Sequence, residues 1–234
     1  MTSSPRAEER RALSALLLLA DGRFPAGGHA HSGGLEAAAA LEGVRDIAGL
    51  AAFLRGRAAT AGAVAAAFAA AACAAATDAA VLGRLDREFE ARLPSPVLRA
   101  VSRRLGRQLL RAGRVIWPSP GLDELAAGLP RGPHQPVVLG AVAAAADLDA
   151  HAAAMAAVYD AVAGPATAAV RLLGLDPFAV QAALAGLGPE LDALAAVGAS
   201  HAHTAPEDLP AWGTPLLDLL AERHATWEVR LFAS

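Results

Sequence analysis

The 234-residue chain has no lysine, one cysteine and few aromatic residues, which make up only 4% of it. All 20 of its basic residues are arginine and the formal net charge is −3, so the global balance lacks the positive footprint of a nucleic-acid binder. The lone Cys73 cannot close an internal disulfide. A fold of this size with no covalent staple fits a reducing compartment, and a cytoplasmic location is the expectation. Charged residues amount to 18% against 55% hydrophobic, far from the composition that keeps a chain disordered. Alternating β-branched runs that would mark strands are absent. Neither an HExxH motif nor a GxxxxGK[ST] loop occurs, which weighs against a zinc hydrolase or a phosphate-cradling NTPase.

What remains is dominated by alanine, the residue with the strongest helix propensity and a side chain small enough for close helix contact. Apolar residues recur at helical spacing through most of the chain. The expectation is an all-α, single-domain bundle of about ten helices over 1–234, with 1–10 as a disordered start and 227–234 as a C-terminal docking tail. Asp176-Pro177 and Thr214-Pro215 each place a capping side chain before a proline at the first helical position, and Asp46 and Thr77-Asp78 are further starts. Leu93-Pro94-Ser95-Pro96 and Trp117 to Gly121 read as breaks. Gly164-Pro165 is expected to kink or interrupt the pattern from Asp149 to Leu173.

Two segments imitate membrane signals. Arg10-Arg11 precedes an apolar run from Ala12 to Ala20, but Glu8, Glu9 and the lack of a small-x-small site argue against export. The uncharged stretch Ala58 to Thr77 is long enough to span a bilayer. Its bulky apolar members are only Val64, Phe68 and Cys73, so it reads as a core helix, with no membrane partner expected.

Three loops stand out: Asp21 to Gly34, Gly128 to Gln135, and Thr204 to Gly213. The first carries Phe24-Pro25-Ala26-Gly27-Gly28-His29-Ala30-His31-Ser32-Gly33-Gly34-Leu35-Glu36, where glycines free the backbone and Phe24 offers an apolar anchor. It reads either as a recognition surface or as an ordinary helix connection ending in a capping acid. Arg99, Arg103, Arg107 and Arg111 recur every four residues, forming either a stripe for an acidic partner or a solvated face paired with carboxylates. The His29/His31 and His201/His203 pairs tempt a metal-site reading, but residues two apart do not share a helix face. Cys73 reads as packing. The tail Val229-Arg230-Leu231-Phe232 is apolar enough to require docking, on its own domain or on a partner.

The Phe24 to Glu36 segment resembles the signature of the UreF family of urease accessory proteins. Further blocks follow in that family's order: Arg99-x-x-Ser102-x-x-x-Gly106-Arg107, then His134-x-Pro136-Val137-Val138-x-Gly140, Tyr159, Ala169-Val170-Arg171-Leu172 with Gln181, and finally His224 with Arg230 to Ser234. The chain carries His29 and Ala30 where the family usually has an aromatic and a small hydroxyl residue.

The resemblance implies a helical, non-enzymatic protein with no cofactor of its own. It implies a homodimer that binds a UreD- or UreH-type accessory protein and a UreG-type GTPase, and supports nickel insertion into apo-urease. It places partner contacts at Phe24, Pro25, Gly27, Gly28, His31, Ser32, Gly34, Leu35, Glu36, Arg99, Arg107, Gln181, Arg230, Leu231 and Phe232. A helical metal-binding protein or metalloenzyme using the two histidine pairs is the competing reading.

Overall fold

Short-range capping chemistry sets where the helices begin. Asp46 accepts from the Gly49 N–H at 2.8 Å, Asp78 from Ala80 and Val81, and Asp176 from Phe178 and Ala179, so each start has a carboxylate on otherwise orphaned amides. Thr214 stands at its expected position but makes no side-chain cap bond. The computed structural model describes residues 5–233, with side chains from residue 11 onward. Of the segment read as a disordered start, residues 1–4 lie outside the described residues, as does Ser234.

Among the described residues there is no strand. The chain runs through α1 (Pro5–Ala20), α2 (Leu35–Leu41), α3 (Ile47–Arg57), α4 (Ala63–Ala74), α5 (Ala79–Ala91) and α6 (Pro96–Ile116). It continues through α7 (Pro120–Gly128), α8 (Gln135–Ala145), α9 (Ala150–Leu173), α10 (Pro177–Gly186), α11 (Gly188–Ser200) and α12 (Pro215–Ala225). A π-helical turn, Ala58–Gly62, joins α3 to α4 without a break, giving one helix from Ile47 to Ala74. The all-helical expectation therefore holds, with slightly more helices than the ten or so anticipated.

α4 is the axis of the core. Phe68, Ala66, Ala67, Ala69, Ala70 and Ala72 are fully buried, and α5, α8, α9 and α11 pack around it. Alanine permits this because small side chains let helix backbones approach closely. The approach is tightest at Gly140 of α8, where a Cβ would stand 2.2 Å from the Ala69 carbonyl oxygen and 2.7 Å from the Ala72 Cβ. Cys73 is buried on the same helix; its thiol donates to the Leu148 carbonyl, and burial pushes its pKa up to about 11. The packing role expected for it is what the structure shows. Ile47–Ala74 and Ala150–Leu173 are each long and apolar enough to cross a membrane, and 67% and 56% of their most apolar windows lie buried inside the fold.

One expectation is corrected. Gly164-Pro165 does not end its helix: α9 runs unbroken for 24 residues. Proline lacks the N–H that would bond the carbonyl four residues back, at Ala161. Arg57 Nε donates to that carbonyl at 2.8 Å, so a side chain from α3 replaces the missing bond.

Candidate functional site

Glu36 is the first acid of α2 and is 7% exposed, an unusual place for a carboxylate unless its oxygens are satisfied. Three donors from the far end of the chain satisfy them. The Leu231 N–H donates to Oε1 at 2.8 Å, the Phe232 N–H to Oε2 at 2.9 Å, and His224 Nε2 to Oε2 at 3.0 Å. A carboxylate oxygen only accepts, so His224 carries its proton on Nε2. The tail is fixed a second time where the Ala233 N–H donates to the Ala30 carbonyl at 2.8 Å. Phe232 closes into the core at 6% exposure with the Arg171 guanidinium 5.5 Å from its ring centroid. The first loop, α12 and the C-terminal tail thus meet on one buried carboxylate.

The loop is held from below by α6 and α9. Gly27 adopts φ +80°, a conformation that favours glycine, and packs against the amide end of the Gln108 side chain. His31 is nearly buried, and Arg104 Nη2 lies 3.2 Å from its Nε2. A guanidinium has no acceptor, so the imidazole offers a lone pair there and is neutral. Burial, then the charges of Arg104 and His29, push its pKa down to about 4. The Ser32 hydroxyl accepts from the Glu36 N–H at 3.2 Å, and Gly33 rests against Pro165 and Arg57. Glu222 of α12 accepts from Ser95 Oγ and the Val97 N–H, which tie α12 to the start of α6 and hold its carboxyl below the usual range.

The expected contact residues divide sharply. Phe24 is buried and stacked on Trp117 with ring centroids 5.8 Å apart, so the proposed free anchor is used inside the fold. Leu35, Ser32, Glu36, His31 and Phe232 are likewise turned inward. Pro25, Gly28, Arg107, Gln181, Arg230 and Leu231 face solvent, while Gly27, Gly34 and Arg99 are half-buried. Of the apolar tail only Phe232 is covered; Val229 is 87% and Leu231 49% exposed. His29, Ala30, Arg171, Glu228, Arg230 and Leu231 rim an open pocket of about 500 Å³ beside the docked tail. Gln181 sits on α10.

The arginine stripe is mostly a set of internal ties. Arg99 Nη1 donates to the Leu93 and Pro94 carbonyls at 2.6 and 2.9 Å, and Arg107 Nη1 to Arg131 O at 2.8 Å. Arg103 turns inward, pairing with Asp86 at 3.1 Å, with Glu90, and with the Gly132 carbonyl at 2.6 Å. The histidine pairs do not assemble a ligand set. His31 is occupied by Arg104, and His201 Nδ1 lies 3.3 Å from Thr204 Oγ1. The one group of three or more His, Cys, Asp and Glu with ligand spacing among the described residues is Asp86, Glu90 and His134. Sequence reasoning misses it; the signal was the four-residue spacing of Asp86 and Glu90 on α5, with His134 standing in the motif before α8.

Comparison with known proteins returns one consistent picture. The UreF family model matches residues 44–188. The chain is 46% identical over 222 residues to the urease accessory protein UreF of Mycobacterium sp. (strain JLS), covering 95% of this chain and 99% of that protein. It is 42% identical, over the same shares, to the proteins of that name from Mycolicibacterium vanbaalenii and Mycobacterium tuberculosis (strain H37Rv).

Proposed function

The chain belongs to the UreF family of urease accessory proteins, and on that premise we propose that it is a non-enzymatic cytoplasmic assembly factor. It binds a UreD- or UreH-type accessory protein, engages a UreG-type GTPase through that complex, and supports nickel insertion into apo-urease as a homodimer.

The observation that carries this reading is the junction at Glu36. A buried carboxylate is given over to holding a loop and a chain terminus side by side, both of its oxygens accepting from the tail or from α12. The outcome is a fixed surface on which Val229, Arg230 and Leu231 stand exposed beside His29 and Ala30. Pre-ordered segments bind with less entropic cost than free ones, so a tail held in place is suited to protein association. The buried members of the signature then act as positioning residues, and the exposed ones supply contact.

The test is co-purification with the UreD- or UreH-type partner, with and without residues 230–234. Deletion should weaken the complex about tenfold or more, equivalent to ~1.4 kcal/mol, while far-UV circular dichroism keeps its helical signal. Undiminished complex formation by the truncated chain would remove the basis for this reading.

A further inference from the structure

Asp86 and Glu90 lie one helical turn apart on α5, and His134, from the segment leading into α8, comes against both. One ligand atom from each of the three lies within 4.8 Å of the others. His134 is 0% exposed, and neither Nδ1 nor Nε2 has a hydrogen-bond partner. That is uncommon, since buried polar side-chain atoms are nearly all satisfied. Its Nε2 stands 3.9 Å from Glu90 Oε2, beyond hydrogen-bond range but on the scale that separates two ligands of one ion. The rest of the surroundings are already committed. The His134 backbone N–H donates to Asp86 Oδ1 at 2.7 Å, the ring packs 5.3 Å from Phe89, and Arg103 spans both carboxylates.

We propose that Asp86, Glu90 and His134 form a binding site for a divalent first-row transition cation of the zinc, cobalt or nickel type, with Arg103 holding the carboxylates in register when no ion is bound. One imidazole nitrogen with two carboxylate oxygens suits such ions, whereas calcium and magnesium favour oxygen alone. A neutral imidazole keeps a lone pair for an ion, and neither ring nitrogen of His134 is engaged by another group. Arg103, with Arg131 acting on Glu90 from farther off, balances the two carboxylates when no ion is bound. Glu90 provides the way in, its side chain being 35% exposed over a His134 that has no surface. Arg103 is the competitor. Its guanidinium also holds the Gly132 carbonyl at 2.6 Å, a bond it can keep while releasing the carboxylates. This site is independent of the urease reading and stands or falls separately.

The experiment is equilibrium dialysis of the untagged full-length chain against Zn²⁺, Co²⁺ and Ni²⁺ in turn, with metal analysis and the visible absorption of bound Co²⁺ as readouts. Stoichiometric retention is expected, with Glu90→Gln and His134→Gln each lowering affinity about tenfold or more. If His134→Gln fails to fold, the surface-accessible Glu90→Gln decides alone. No retained ion would overturn the proposal. So would retention that survives Glu90→Gln, retention lost instead on changing His29 and His31, or a preference for Ca²⁺ over all three metals.

Discussion

The packing around α4 and the junction at Glu36 are both buried, yet they are built on opposite principles. Around α4, a helix of mostly alanine is enclosed by others, and what matters is the room taken by each side chain. At Glu36, a single charged group collects three donors, two of them backbone amides of the tail, and what matters is the number and direction of hydrogen bonds. The first tolerates no added volume and the second tolerates no lost acceptor. A core made of small residues gains its precision from steric fit, while a docked terminus with few neighbours must be held by a few strong bonds.

Adding volume at the tightest helix approach is the most severe way to break that contrast. Gly140→Val would put a branched side chain against the Ala69 carbonyl, already 2.2 Å from where a Cβ would stand. Backbone on α4 cannot yield as a flexible side chain would, so we expect a loss of about 3 kcal/mol or more, read as a lowered urea midpoint or failure to fold. A midpoint near that of the parent chain would mean that α8 and α4 are not fitted as closely as described.

Removing an acceptor at the junction should be milder globally and sharper locally. Glu36→Gln keeps the size but replaces one oxygen with an amide that points donors at donors. Losing hydrogen bonds to a charged group costs about 2–3 kcal/mol, and the loss should fall on the tail alone. Amide hydrogen exchange at Leu231 and Phe232 should accelerate while α4 and α9 stay protected. Uniform acceleration across the chain would show that the junction belongs to the same cooperative unit as the core.

How far these features could be read in the sequence depended on how far apart the interacting residues lie. Asp46, Asp78 and Asp176 cap amides two or three residues away, so a local pattern suffices. The ordered motifs from Phe24 to Phe232 were recognisable as a family signature, but not the direction of each side chain, and so Phe24 turns out to stack on Trp117 instead of waiting for a partner. Glu36 was visible as a helix-start acid; its true partners stand 188 to 196 positions later. Pro165 read as a kink or a break because the carbonyl it leaves open, at Ala161, is served by Arg57, 104 residues upstream of that carbonyl. His134 meets Asp86 across 48 residues, beyond any periodicity.

The Arg57 remedy can itself be tested, and it links the two regions because Gly33 of the loop rests on both Arg57 and Pro165. Arg57→Met leaves the Ala161 carbonyl without its donor, at a cost of about 2 kcal/mol. Pro165→Ala restores the N–H that reaches this carbonyl within the helix. In the double variant, the penalty for Arg57→Met should therefore shrink, a coupling read from a double-mutant cycle of urea midpoints. Strict additivity would show that Arg57 serves some purpose other than completing α9.

The smallest effect should be a change in pH dependence at His31. Its ordinary pKa of 6.5 is pushed down to about 4 in the folded chain, chiefly by burial and then by Arg104 and His29. Between those values the unfolded chain holds a proton that the folded chain refuses, so protonation favours unfolding. Stability should be complete above 6.5 and decline as pH falls through the window toward 4. His134 shifts in the same direction, so it supplies a parallel decline that a change at His31 leaves in place. His31→Gln should consequently reduce, without abolishing, the drop in urea midpoint between neutral and mildly acidic buffer. An identical drop in both proteins would mean that the loop does not hold this imidazole neutral, and that the lone pair facing Arg104 has been misassigned.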